Sequence, residues 1–296
     1  MISVLICSIN PGLLQQVSTN IEETIGTEYE IVSIDNRTAG KGICSVYNIL
    51  AARAKFSYLC FIHEDIKFTE KGWGKALLNN FSSDPDIGLI GVAGSKYKSS
   101  YFSGWFANVR ELDCANYIHQ YERGFEKVYL SPDNDMRLQE VVCIDGVFMC
   151  CKRQTWESQR FDEKVLSGFH FYDIDFSLRS AHACKVVVSY NVDLIHITSG
   201  GDYGNNWVET AIRYHHLYKN QLPFSKVQVD KKLADKRVVK ATLDFLKNYD
   251  ISFGNKVKWI RFQKLDLFPD LYYDILKFFF YKPLRLKKIH NLLRSK

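Results

Sequence analysis

Short apolar runs of strand length recur through the first hundred residues, and between them the apolar positions shift to helical spacing. Ile2–Ile9, Glu30–Ile34, Tyr58–Ile62 and Ile87–Val92 are the strand-like runs, and Asn10-Pro11-Gly12 stops the first of them. Leu13–Ile25, Gly42–Ala54 and Gly72–Phe81 carry the helical spacing. Parallel strands can be joined only by a long crossover, usually a helix, so this alternation predicts a mostly parallel sheet flanked by helices. The fold class expected is α/β, doubly wound. In such sheets ligands bind beyond the carboxyl ends of the strands, and the residues that follow each strand carry the functional reading.

The rest of the chain fits a large globular unit. Its 296 residues are 46% hydrophobic and 24% charged, enough to bury a core without a metal or disulfide staple and too apolar for a disordered chain. No internal period is visible, and no run approaches the ~20 apolar residues that span a bilayer. Eight cysteines fall in apolar runs without a Cys-x-x-Cys pair, and adjacent Cys150 and Cys151 would point to opposite faces of a strand. Reduced thiols and a cytoplasmic location are expected. The opening Met1–Cys7 stretch is too short and uncharged for a signal peptide.

Residues 95–140 are aromatic and lack a clean period, which predicts a long irregular segment that sets specificity. Strand-like character resumes over Val141–Cys151, interrupted by Asp145-Gly146, and over Lys185–Ile197; beyond Asn205 the chain reads as helical. The net charge of +6 is concentrated at the end: Lys256–Lys296 holds eleven Lys/Arg against three Asp, and no acidic residue follows Asp274. Phe278–Tyr281 followed by these bases suits either an anionic membrane surface or a helix packed on the domain. No nucleic-acid motif accompanies them, so no nucleic-acid partner is expected.

Charged groups gather where strands end. Asp35-Asn36 follows the second strand, His63-Glu64-Asp65 the third, Asp145-Gly146 interrupts a later one, Asp173 and Asp175 stand two apart, and His196 closes the last pair. Any one carboxylate of this kind can cap a helix, but the helix after Asp65 is expected only near Thr69-Glu70. A His/Asp pair at one strand end with a distant His suits Mn²⁺ or Mg²⁺, cations that share their shell with phosphate oxygens. His-Glu-Asp is not the zinc motif His-Glu-x-x-His, because Lys67 occupies the second His position.

The order Ser33-Ile-Asp35-Asn36, Gly40-Lys41-Gly42, Ser45, Asn48, Ala54 and Tyr58-Leu-Cys-Phe-Ile-His63-Glu64-Asp65 resembles the nucleotide half of GT-A fold family 2 glycosyltransferases. Arg160-Phe161-Asp162-Glu163 and Gly168-Phe-His-Phe-Tyr172-Asp173-Ile-Asp175-Phe-Ser-Leu-Arg179 resemble its acceptor half, and the likeness covers about residues 1–200. The chain departs from the family at His63, in place of the first Asp of Asp-x-Asp, and at Tyr172, in place of the Glu of Glu-Asp.

The resemblance implies a GT-A domain over 1–225 (nucleotide half 1–95, acceptor half 96–225) with a helical basic extension over 226–296. It implies inverting, metal-dependent transfer from a nucleotide sugar, UDP-linked by family habit, to a hydroxyl on a glycan or lipid-linked acceptor in bacterial surface-polysaccharide synthesis. Asp173 would be the general base. Asp65 would bind the metal with His63 and His196. Ser8, Asp35, Asn36, Lys41, Asn48 and Glu64 would meet the nucleotide. Asp145, Gly146, His170 and Asp175 would face the acceptor, and Trp105, Tyr203 and Trp207 would offer sugar-stacking faces or core packing. The other reading is a non-catalytic nucleotide-sugar or glycan-binding member, favoured by His63; a nucleotidyltransferase lacks its Gly-rich phosphate loop near the N-terminus.

Overall fold

The computed structural model describes residues 1–121, 124–131, 137–197, 203–265 and 269–281. The alternation of the first third is present. It runs β1 (Ile2–Ser8), α1 (Pro11–Thr24), β2 (Tyr29–Asp35), the single turn α2 (Asn36–Ala39), α3 (Ile43–Arg53), β3 (Tyr58–Ile62), β4 (Ile66–Phe68), α4 (Trp73–Ser83) and β5 (Ile87–Gly91). Asn10 starts α1 by accepting the Gly12 and Leu13 N–H groups, and Pro11 fills the first turn, where a missing N–H loses no bond. The helix expected near Thr69-Glu70 begins later, at Trp73, because β4 intervenes.

The middle holds β6 (Ala93–Ser95), β7 (Tyr97–Lys98), β8 (Asp113–Tyr121), β9 (Gly124–Leu130), β10 (Leu138–Val141), β11 (Cys143–Ile144) and β12 (Phe148–Lys152). Then come α5 (Arg153–Gln159), α6 (Tyr172–Ala183), β13 (Lys185–Ser189), β14 (Leu194–Ile197), α7 (Asn205–Leu217), β15 (Phe224–Ser225), α8 (Lys231–Leu246), α9 (Phe253–Phe262) and α10 (Tyr272–Phe280).

Among the described residues, seven strands form a central sheet in the order β10-β13-β5-β12-β3-β1-β2. β1 is parallel to β2 and β3, and β13 to β5, while β12 and β10 run antiparallel to their neighbours. The sheet separates two cores. Leu59, Phe61, Met149 and Cys151 pack toward α3, α6 and α7; Cys60, Ile62, Phe148 and Cys150 pack toward α1 and α4. Cys150 and Cys151 thus face opposite ways, as successive strand residues must. All eight cysteines are free.

The segment expected to be irregular over 95–140 is so from Ser99 to Leu112, but Asp113–Tyr121 and Gly124–Leu130 are β8 and β9 of a second sheet, β11-β6-β8-β14-β4, with β9 paired to β8. Its pattern was hidden because Asp113–Asn116 is buried on both faces of β8, polar residues included. Asp113 accepts the Ala107 and Val109 N–H groups, and Asn116 donates to Val192 O and Asp193. These bonds offset the desolvation that would otherwise exclude such side chains. Ahead of β8, buried Lys98 Nζ lies within hydrogen-bonding distance of Ser103 O, Ser103 Oγ, Gly104 O and His215 Nε2, fixing the turn after β7 against α7. Burial pushes the Lys98 amine down to about 7.

The C-terminal helices share the first core through Leu243, Trp259 and Phe278. Trp207 is buried and stacked on Trp259 with centroids 5.9 Å apart, which makes it a core residue and not a sugar platform. Tyr203 packs edge-on against Phe245 and Tyr249, and Trp105 against Phe106. In α10 only Phe278 is fully buried, while Phe280 is 73% exposed. The basic residues from Lys282 onward lie outside the described residues. No helix among those described is long and apolar enough to cross a membrane.

Trp73 anchors the second core: its ring stacks on Phe68 at 4.0 Å and its Nε1 donates to Thr24 Oγ1 at 3.1 Å. Trp73→Ala should cost about 3–5 kcal/mol of unfolding free energy by urea denaturation. A loss under about 1 kcal/mol would mean that the ring is not a core element.

Candidate metal centre and active site

The third strand ends at Ile62, and the next residues cross from one sheet to the other. His63 N–H donates to Val147 O at 3.2 Å, after which the chain enters β4 of the second sheet. There β4 runs antiparallel to β14, with Ile66 opposite His196, and Ile197 N–H donates to Asp65 O at 2.7 Å. This pairing brings His196 beside Asp65 across a long stretch of sequence. His196 Nε2 lies 3.4 Å and His63 Nδ1 3.8 Å from the Asp65 carboxylate. One ligand atom from each of the three residues falls within 4.8 Å of the others.

The donor set fits a divalent cation. All three side chains are partly exposed, so a cation held there keeps positions open toward solvent. Burial and the neighbouring His196 pull the His63 pKa down against the opposing pull of Asp65, which favours the neutral imidazole that ligates metals. Burial raises the Asp65 carboxyl, but the hydrogen bond from His196 and the electrostatic pull of the two imidazoles outweigh it and lower it overall. Two imidazoles and a carboxylate suit a first-row ion such as Mn²⁺ better than Mg²⁺, which prefers an oxygen shell.

Tyr172, Asp173 and Gly146 adjoin this set. Tyr172 Oη lies 3.0 Å from His63 Nε2 and donates to Gly146 O at 3.2 Å. Gly146 N–H donates to Asp173 Oδ2, and Ile174 N–H to Asp173 Oδ1, each at 2.9 Å. Burial and then the like charge of Asp145 push the Asp173 carboxyl up to about 7, against the lowering effect of those two N–H groups. A carboxylate held near neutrality, with a second carboxylate beside it, is suited to take up a proton from a substrate hydroxyl.

Glu64 points the other way from its two neighbours. It accepts Ser8 Oγ at 2.6 Å, Ile9 N–H at 3.1 Å and Asn10 N–H at 3.2 Å, bracing the end of β1 against the end of β3. At the end of β2, Asp35 forms an exposed pair with Arg37, whose hydrogen bonds hold its carboxyl down to about 2. Arg37, two residues away, was passed over in the sequence because a charge in a turn carries no period.

Three expectations need correction. Asn36 is buried, with its amide joined both ways to the Lys41 backbone, so it shapes the loop and does not present itself to a ligand. Asn48 spends its amide on Trp156 and Phe161. Asp175 is 1% exposed and held by Arg179 and Tyr218, a core ion pair out of reach of an acceptor. Lys41 is exposed. His170 lines a cleft of about 650 Å³ between the 167–170 loop and the face of α7 that carries Thr210 and Arg213.

Sequence reasoning gave no role to His119, which lies opposite His196 on neighbouring strands with the rings 5.4 Å apart. Its buried Nδ1 meets no hydrogen-bond partner among the described residues. Its only sequence signal was a His inside the aperiodic segment.

A family model described as "Glycosyltransferase like family" matches residues 3–223, three-quarters of the chain. The chain belongs to this family of glycosyltransferase-like enzymes. Its fold is that of GT-A glycosyltransferases. The structure of GalNAc-T7 with UDP, GalNAc and Mn²⁺ is similar to it at a TM-score of 0.50 and 11% identity, over 91% of this chain and 58% of that one. The chain therefore spans less than two thirds of that relative. The mannosyltransferase PcManGT from Pyrobaculum calidifontis, in complex with GDP-Man and Mn²⁺, gives 0.48 at 11% identity, over 100% of this chain and 88% of that one. No curated protein matches the chain in sequence.

The Asp173 carboxyl binds its proton more tightly in the native state, so its contribution to stability falls as pH rises from the ordinary 3.8 to about 7 and is flat above. Asp173→Asn should remove that slope from urea-derived stability measured across this window. Asp145→Asn should move the Asp173 midpoint down, read by ¹³C-carboxyl NMR. An unmoved midpoint would remove Asp145 as a cause.

Proposed function

We propose that the protein transfers a sugar from a nucleotide-sugar donor, UDP-linked, to a hydroxyl of a glycan or lipid-linked acceptor, with inversion and with Mn²⁺. The observation that carries this reading is the His63, Asp65 and His196 set beside the raised carboxyl of Asp173, beyond the carboxyl end of β3. The UDP, GalNAc and Mn²⁺ in the similar GalNAc-T7 structure support the donor class and the ion.

In this reading the exposed Asp35–Arg37 pair meets the nucleotide base, and the brace between Ser8 and Glu64 shapes the floor beneath the diphosphate. His63, Asp65 and His196 would hold the cation, which when bound would neutralise charge on the departing diphosphate. Asp173 Oδ takes the acceptor proton as the hydroxyl oxygen bonds to the anomeric carbon and the bond from that carbon to the phosphate oxygen breaks. The cleft at His170 receives the acceptor, and Asp145 keeps Asp173 basic. Residues 1–225 form the catalytic unit and 226–296 its extension. The setting proposed is bacterial surface-polysaccharide synthesis, at the cytoplasmic face of the membrane.

Thermal stabilisation by UDP-, GDP-, dTDP- and CMP-sugars, each with Mn²⁺, Mg²⁺ or EDTA, tests the donor. A shift with a UDP-sugar that needs Mn²⁺ and is lost in His196→Ala is expected; no shift with any sugar would overturn the donor reading. Asp173→Asn should lower transfer by about 10²–10⁴-fold while leaving that stabilisation intact. Retained transfer would remove Asp173 as the base.

A membrane surface is the second partner we propose. Tyr273, Leu276 and Phe280 of α10 are exposed immediately ahead of the basic stretch that begins at Lys282. Truncation after Tyr281, which retains the buried Phe278, should release the protein from phosphatidylglycerol vesicles in a sedimentation assay. Undiminished binding would remove the tail from the interaction.

A further inference from the structure

The two positions at which this chain departs from the glycosyltransferase motifs touch each other. His63 stands where the first Asp of Asp-x-Asp would stand and Tyr172 where the Glu of Glu-Asp would stand, and their Nε2 and Oη atoms are 3.0 Å apart. In isolation each change removes an acidic group from the site. Together they form one hydrogen-bonded unit.

The direction of that unit follows from its ends. His63 turns Nδ1 toward Asp65, so a cation shared with Asp65 would be held through Nδ1 and the ring proton would then stand on Nε2. Nε2–H then donates to Tyr172 Oη, and the hydroxyl proton goes to Gly146 O at 3.2 Å. Gly146 closes the path by donating its own N–H to Asp173 Oδ2 at 2.9 Å. The seat of the hydroxyl is tight: a Cβ at Gly146 would come within 2.2 Å of Tyr172 Oη and 3.1 Å of Asp173 Cβ. Tyr172 is 6% exposed, its ring held by Tyr47 and Phe161.

We infer that Tyr172 is a positioning residue whose hydroxyl fixes the tautomer and orientation of His63 for a divalent cation, so that His63 and Tyr172 replace the acidic pair of the family motifs as a unit. The inference rests on the metal-dependent reading above. Groups that orient a metal-bound imidazole typically carry 10–100-fold of metal affinity, roughly, when removed.

The test is a double-mutant cycle on the full chain, with Mn²⁺ binding read by electron paramagnetic resonance. Tyr172→Phe keeps the packed ring and should weaken Mn²⁺ binding by about 10–100-fold. In a His63→Asp background the same change should have no further effect, since an aspartate has no ring N–H to orient. Binding by Tyr172→Phe within about twofold of wild type, or an equal loss in both backgrounds, would overturn the inference while leaving the metal reading in place. Wild-type protein that takes up no Mn²⁺ would overturn both. Should Tyr172→Phe fail to fold, ¹⁵N NMR of the Zn²⁺-loaded wild type decides: His63 coordinated through Nδ1 with a proton on Nε2 is expected, and coordination through Nε2 refutes the inference.

Discussion

After Ile62 the chain steps out of the central sheet, and the antiparallel pairing of β4 with β14 decides where the charged groups of the site stand. The bond from Ile197 N–H to Asp65 O and the placement of His196 opposite Ile66 bring a carboxylate and an imidazole together from distant parts of the sequence. A strand pair fixes its side chains within a fraction of a residue's rise, because slipping by one residue would turn every side chain to the other face. His196 therefore stands beside Asp65 for the same reason that Leu194 is buried and paired with Phe68.

Around that crossing, neighbouring residues of one tripeptide serve two purposes. His63 and Asp65 turn toward His196, while Glu64 turns back to accept three hydrogen bonds from the end of β1. A carboxylate with several N–H and O–H partners is a strong brace, and charge-assisted bonds of this kind are about twice as strong as neutral ones. Gly146 has a comparable double role, with its carbonyl on Tyr172 and its N–H on Asp173. The metal-capable cluster and the raised carboxyl of Asp173 are thus joined by a short hydrogen-bonded path.

Much of this was legible in the sequence. The helix–strand alternation up to Ile87 is local and periodic, so the core strands and their helices could be read within a residue or two. The placement of Asp35 and His63-Glu64-Asp65 at strand ends was likewise visible, because a parallel sheet brings successive carboxyl ends to one side, whereas Asp145-Gly146 stands ahead of antiparallel β12 and His196 within β14 of the second sheet. Segment 95–140 was not legible. Strand β8 buries Asp113 and Asn116, whose hydrogen bonds satisfy them, and β9 has no buried residue, so neither strand shows the alternation on which such a reading depends.

The sequence by itself determined the fold class, the two-faced central sheet and the set of residues from which a site could be built, because burial of apolar side chains imposes a period that local spacing records. Only the tertiary structure decided which members of that set act together. It withdrew Asn36, Asn48 and Asp175 into internal bonding, supplied Arg37 to Asp35, and set Tyr172 against His63. The reason is physical: hydrogen bonds and ion pairs depend on distances of about 3 Å between groups far apart in the chain, and such distances leave no repeating trace in the order of residues.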